Sequence, residues 1–365
     1  MIVFISAMEG APWGGSEELW CQAAARLVQQ GNAVTANVKE WAEPAKQVLA
    51  LQSGGCEIEW RRPYSRLKRI AKRLGVGRKD WLDRIRPNLV VISGDHLSSQ
   101  HWAQQCRNRN IPYVLIVQAA YEYWWPEDEQ ALEVAANYEE AAGAFFVSEG
   151  NRNLMRVQLA TPLKNAKVIS NPFNVSYDAA PTWPQETESF HLACVGRLEP
   201  LHKGQDIIFD VLRGEKWQER PIHVTLFGDG RNRQSLQRLK QMYALENVTF
   251  GGFSTDVEEI WRRHHALILP SRYEGLPLAL VEAMLCGRLV ITTDVAGNAE
   301  LLEEGVTGFI AQAPTKGCLD DAMERAWDSR ARWQQMGQAA GIRVRQKVPR
   351  DPAGVFADLL LSMAR

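Results

Sequence analysis

The chain has no Asp-x-Asp, no Cys-x-x-Cys and no surplus of positive charge, and each absence removes a class of protein. Without the spaced carboxylate pair, the usual ligand set for a divalent metal on a diphosphate is missing. The seven histidines form no cluster either, so no metal-ligating residue is assigned. Cys21, Cys56, Cys106, Cys194, Cys286 and Cys318 are scattered, as reduced core thiols of a cytosolic chain are, and not spaced as a zinc site or a disulfide framework. Basic residues number 42 against 43 acidic, a balance that leaves nothing to attract nucleic acid. No apolar run approaches the roughly 20 residues that span a bilayer. The opening MIVFISAMEG lacks the basic segment of a signal peptide and reads as a buried first strand. The expected location is cytoplasmic.

What is present is a chain of 365 residues, 45% hydrophobic and 23% charged, long enough for two domains. Short apolar runs (IVFISA, NLVVIS, YVLIVQ, AFFVS, KVIS) alternate with helical patterns such as SEELWCQAAARLVQQ. Runs so uniformly apolar indicate parallel strands covered on both faces. A Pro-, Ser- and Thr-rich stretch at 176–189 breaks the alternation and reads as a linker. The alternation then restarts with FHLACVG, HVTLFG, VTFGG, HALILP, RLVITT and GFIAQ. The expected architecture is α/β: two Rossmann-like doubly wound domains, 1–175 and 190–348, facing a central cleft, followed by a terminal helix within 349–365. The apolar face of that helix, read as Val355, Phe356, Leu359 and Leu360, needs a surface to cover.

Ligands of doubly wound sheets bind beyond the carboxyl ends of the strands, so the loops there carry the chemistry. One such loop opens RYEGLPLALVEAMLCG, with Glu274 in front and Glu282 further along. Pro277 suits a first helical turn, and the free N–H groups from Gly275 through Leu276 to Leu278 would offer an anion site. The two acids frame that site at a distance too great to neutralise it, and carboxylates accept from the hydroxyls of a sugar or ribose. A phosphate held between two sets of hydroxyls describes a nucleotide sugar. The complementary loop is VGRLEPLHKGQDII, where Arg197 and Lys203 are placed to hold a diphosphate, with Gly196 and Gly204 permitting close backbone approach. For each feature a plainer reading stands beside it: capping acids in the first case, solvated surface cations in the second.

From about residue 190 to 312 the chain resembles the nucleotide-binding domain of GT4-type retaining glycosyltransferases with the GT-B fold. The words that carry the resemblance are VGRLEPLHKG, LFGDGRNR, NVTFGGF, LPSRYEGLPLALVEAMLCG, TTDVAGNAELL and GVTGFI, in the family's order. The first half matches more loosely, through GGSEELW, FVSEG and NPFNV. The resemblance implies transfer of a sugar from a nucleotide-diphosphate donor to a glycan, glycolipid or small-molecule acceptor, without a metal cofactor. It implies that Arg197 and Lys203 bind the diphosphate and that Glu274 meets the transferred sugar, with help from the amides of Gly275, Leu276 and Leu278. It assigns Glu282 to the ribose, Gly14 and Gly15 to the phosphates or an anionic acceptor, and the neighbourhood of Phe253 to the base. It also implies that the terminal helix folds back on the first domain.

Ser93 and Gln118 stand where many members of that family carry functional histidines. Asp95 and His96 are the nearest replacements by position, or merely a helix-capping loop. Two further features point to the acceptor. Tyr121, Tyr123, Trp124 and Trp125 lie in one loop after a strand and are either core or a stacking surface for sugar rings. Nine basic residues and no acid occur in 61–79, with Leu67, Ile70, Ala71 and Leu74 on one stripe. That segment is either a solvated basic face or a peripheral membrane contact at the inner membrane face, suited to a lipid-linked acceptor. Competing readings of the whole chain are a non-catalytic partner subunit of a glycosyltransferase and a sugar-nucleotide epimerase or phosphorylase on the same fold. A dinucleotide oxidoreductase is set aside because the first loop, MEGAPWGGSEE, lacks a G-x-G-x-x-G.

Overall fold

In the computed structural model, which describes residues 1–62, 81–185 and 188–364, the two sets of apolar runs form two separate sheets. The basic stretch lies, from residue 63 onward, outside the described residues. The first sheet contains β1 (Ile2–Ser6), β2 (Val34–Lys39), β3 (Glu57–Arg61), β4 (Leu89–Gly94), β5 (Tyr113–Val117), β6 (Gly143–Phe146) and β7 (Ala166–Val168). Their order is β3-β2-β1-β4-β5-β6-β7 and every pairing is parallel. The second contains β8 (Phe190–Val195), β9 (Ile222–Phe227), β10 (Val248–Gly252), β11 (Ala266–Leu269), β12 (Leu289–Thr293) and β13 (Gly308–Ala311), in the order β10-β9-β8-β11-β12-β13. It too is wholly parallel.

Both faces of each sheet are covered, which is why the strands read as unbroken apolar runs. In β5, Val114 and Ile116 pack into one core layer while Tyr113, Leu115 and Val117 pack into the other. In β11, Ala266 and Ile268 face one layer and Leu267 and Leu269 the opposite one. The period of two survives, but its two sides are equally apolar. The cysteines are all free; five are buried, and burial pushes the thiols of Cys21, Cys56, Cys106, Cys194 and Cys286 up to about 12. No described helix is long and apolar enough to cross a membrane.

The chain divides into two compact units: Met1–Val147 with Arg152–Pro172 and Asp351–Arg365, and Ser148–Asn151 with Phe173–Arg350. The stretch after Asn174 is irregular but tied into the second unit. Arg288, 2% exposed, donates to the carbonyls of Trp261, His264, Cys286 and Thr182, and burial lowers its pKa to about 10. Arg345 donates to the carbonyls of Tyr177, Ala179 and Leu285.

The helix Pro352–Met363 packs in the first unit's core with the helix Gly15–Gln29. Asp351 caps it by accepting from the Gly354 N–H, and Pro352 occupies the first turn, where its missing N–H costs nothing. Its buried face is Phe356, Ala357 and Leu360; Val355 is 54% exposed. Phe356, Leu360 and, in part, Leu359 meet the core as expected; Val355 does not, because alanine at 357 packs as core while the larger Val355 points outward. The Phe356 ring meets Phe145 edge-on at 5.5 Å. Phe356→Ala should cost the first unit about 3–5 kcal/mol, read as an earlier urea transition. A change below about 1 kcal/mol would mean that the chain's end adds little to this core.

Candidate functional site

The β8–β11 pairing is where the strand order reverses in the second sheet, and it brings the two sequence-selected loops side by side. Gly204 is the point of closest approach. Its φ is +65°, and a Cβ there would lie 2.0 Å from the carbonyl oxygen of Pro270, at the exit of β11. Gly196 has no such role, since a Cβ on it would rest against the flexible Lys203 side chain at 3.5 Å. The constraint sits one strand over: Gly228 has φ +127°, and a Cβ there would come 2.1 Å from the Gly196 carbonyl oxygen. The glycine after β9, not the one after β8, thus lets these loops pack.

That approach joins Lys203 to Glu274. The Lys203 ammonium donates to Glu274 Oε1 at 2.5 Å, and the Ser271 hydroxyl donates to the same oxygen at 2.7 Å. Glu274 is thus 7% exposed and ion-paired, a pairing with Lys203 that the sequence reading did not include. Its other oxygen, Oε2, has no partner among the described residues and remains able to accept a hydroxyl. The following helix runs from Leu278 to Leu285, and Pro277 is its N-cap with φ −68° and ψ 128°, one residue before the expected position. The Pro277 carbonyl accepts from Leu280 and Val281. Among the described residues no acceptor meets the N–H groups of Gly275, Leu276 or Leu278, so this end carries the partial positive charge of an uncapped helix. Glu282 is 3% exposed, and its Oε1 accepts from both the backbone N–H and the side-chain amide of Asn174, each at 2.9 Å. It thus holds the segment that enters the second unit.

Arg197 is half exposed, and its guanidinium lies 3.8 Å from Glu199. Glu199, 8% exposed, also accepts from His202 Nδ1 at 3.1 Å and from Arg231 at 2.5 Å. Arg231 was not singled out from the sequence, although LFGDGRNR was. Its signal is the rule that found Arg197: a cation in the loop after a strand, here β9, which neighbours β8. Gly230 makes the contact possible, because a Cβ there would come within 2.6–3.0 Å of the Leu198 backbone. Three cations, Arg197, Lys203 and Arg231, thereby face two carboxylates beside an uncapped helix end. Phe253 is 77% exposed just past Gly252, at the end of β10.

In the first unit, Gly14 is the extended N-cap of the helix Gly15–Gln29. Glu17, in its first turn, is 4% exposed and accepts from the Ser6 hydroxyl and the Trp20 indole N–H. Burial raises its carboxyl to about 6. His96 is fully buried, with Tyr121 and Trp124 edge-on at ring centroids of 4.9 and 4.8 Å. Burial lowers it to about 4, which keeps it neutral at physiological pH. Asp95 caps the next turn through the N–H groups of Leu97 and Ser98. Gln118 exchanges amide hydrogen bonds with Asn171. No described group of three His, Cys, Asp or Glu residues is placed to hold a metal.

Tandem doubly wound units, with cations and a helix end converging at the strand reversal of the second, define a GT-B fold. Residues 189–329 match the family "Glycosyl transferases group 1". Over 109 residues it is 42% identical to the Vi polysaccharide biosynthesis protein VipC/TviE of Salmonella typhi, a match covering 30% of this chain and 18% of that protein. It is 27% identical over 165 residues to the D-inositol 3-phosphate glycosyltransferase of Gordonia bronchialis, covering 42% of this chain and 36% of the other. The matches therefore span well under two thirds of either curated relative. The structure of Anabaena Alr3699/HepE in complex with UDP and glucose superposes with a TM-score of 0.78 over 99% of both chains, at 19% identity, a likeness of fold.

Two predictions follow from the buried charges. Lys203→Met should destabilise the second unit by about 3–5 kcal/mol by leaving a carboxylate unpaired, and adding Glu274→Gln should recover part of that loss in urea unfolding. Additive losses would mean that the pair is not coupled. Glu17 has its folded pKa raised above the ordinary 4.5, so its contribution is full below that value and is lost as pH rises through about 6. Between about pH 4.5 and 8, wild type should lose up to about 2 kcal/mol more than Glu17→Gln. Equal pH slopes would place Glu17 in a water-like setting.

Proposed function

We propose that this protein is a glycosyltransferase that moves a sugar from a nucleotide-diphosphate donor to a glycan, glycolipid or small-molecule acceptor with retention of anomeric configuration. The observation that carries the reading is the Lys203–Glu274 pair at the uncapped end of the helix Leu278–Leu285. Lys203 and the N–H groups meet phosphate charge, while Glu274 Oε2 meets a hydroxyl of the sugar. As the bond from the anomeric carbon to the phosphate oxygen breaks, the negative charge grows on the diphosphate. Arg197, Lys203 and the amides of Gly275, Leu276 and Leu278 stabilise it there. The acceptor oxygen then bonds to the anomeric carbon from the same face, and its proton passes to the departing phosphate. Such a step needs no enzyme nucleophile and is written without a metal cofactor. The printed ligands of the Anabaena protein, UDP and glucose, make uridine nucleotides the first donors to try.

Melting should be followed against UDP, GDP, ADP and their sugars with EDTA present, in wild type and Arg197→Ala. A ligand at a hundredfold its Kd adds about 2.7 kcal/mol of stability. The expected result is a shift for one base, reduced in Arg197→Ala and indifferent to EDTA. No shift for any nucleotide would overturn the donor assignment, and a shift that vanishes with EDTA would overturn metal independence.

A further inference from the structure

The four aromatic residues after β5 divide into two pairs. Tyr121 and Trp124 turn inward onto buried His96, and the carbonyls of both accept from the side chain of Gln158, which is 4% exposed. Tyr123 and Trp125 turn outward and are 81% and 68% exposed. By contrast Trp20, Trp217, Trp261 and Trp333 are all under 2% exposed. Leaving two such rings in water forgoes the stabilisation that burying them would give. The loop beneath is nevertheless fixed, by an aromatic layer that neutral His96 completes and by the Gln158 amide. The backbone that carries the outward rings is therefore held before anything touches it, and the Tyr123 ring lies against Tyr121 at 5.1 Å, which lowers the ordering cost of binding.

The surroundings select the partner. These rings stand past the carboxyl end of β5, the edge where doubly wound sheets bind ligands. From Ile111 to Asn151 the chain has no Lys, Arg or His, while Glu122, Glu127, Asp128 and Glu129, next to the rings in the chain, are exposed. Such charge repels anionic lipid headgroups and polyanionic glycans. Aromatic faces flanked by carboxylate acceptors suit a neutral or cationic pyranose, whose C–H groups lie on the ring while its hydroxyls donate to the acids. We infer that Tyr123 and Trp125 form a binding platform for an uncharged sugar unit of the acceptor. The inference deepens the transferase reading and rests on it for the word acceptor, but the saccharide site itself is a property of the first unit alone.

The test is binding of maltotriose and N,N′-diacetylchitobiose, followed by titration calorimetry and saturation-transfer NMR. Wild type is compared with Tyr123→Ala, Trp125→Ala and Trp125→Phe, and a hyaluronan tetrasaccharide and phosphatidylglycerol vesicles serve as anionic probes. A neutral saccharide should bind saturably to wild type, and each alanine variant should weaken it about tenfold, while Trp125→Phe stays within about threefold. Melting shifts with UDP-sugars should be the same in all four proteins. Four results would overturn the platform: no saturable neutral-sugar binding, equal binding in wild type and variants, preference for the anionic probes, or a ring-dependent dimer seen in sedimentation. Loss of every nucleotide shift with saccharide binding intact would instead remove the transferase reading and leave the platform standing.

Discussion

The second unit depends on one close contact, the passage of the chain at Gly204 beneath the Pro270 carbonyl. A side chain at 204 would push apart the exits of β8 and β11, and with them Lys203 and Glu274. Neither charge is well placed alone. Glu274 is nearly enclosed, and an unpaired carboxylate at that depth carries a large desolvation cost. Lys203 relieves it, and Ser271 adds a second donor to the same oxygen. The pair therefore reports backbone geometry: it forms only where a left-handed glycine lets two parallel strands end shoulder to shoulder.

The same economy governs the cations. Arg197, Lys203 and Arg231 converging without acids would repel one another and hold a pre-formed anion site at considerable cost. Glu199 and Glu274 hold them in register and leave a modest positive balance. Glu199 differs from Glu274 in its partners, drawing on Arg197, His202 and Arg231 at once, so losing one contact leaves the others in place. An incoming anion can then recruit the half-exposed guanidiniums without stranding a buried carboxylate.

How much of this was legible follows from what each residue has to satisfy. Doubly wound sheets were readable because strands covered on both faces leave no polar alternation, and the β5 and β11 runs show that directly. Arg197, Lys203 and Glu274 were readable because cations and an acid placed in loops after strands have little structural reason to be there. The Lys203–Glu274 pairing was not, since 71 residues separate the two and only the strand order brings them together. Glu282 was read for its carboxylate but not for the Asn174 groups it holds, because a long-range side-chain contact leaves no local trace. In the last helix only Val355 was misplaced and Ala357 passed over, since alanine counts for little in a pattern of apolar residues yet packs closely where two helices press together.

The two halves also differ in how far their sequence speaks. The family match covers 189–329, the stretch that holds the left-handed Gly204, Lys203 after β8 and Glu274 after β11. The first unit has the same kind of sheet and strand reversal, yet Ser93 and Gln118 fill positions where the resemblance led one to expect histidines, and each is buried. In the loop after β5, burial divides four similar rings into two that build and two that face water. Composition alone cannot make that division, because Tyr and Trp serve both purposes. Only the arrangement around His96 and Gln158 separates a ring that supports the loop from a ring that is offered to a ligand.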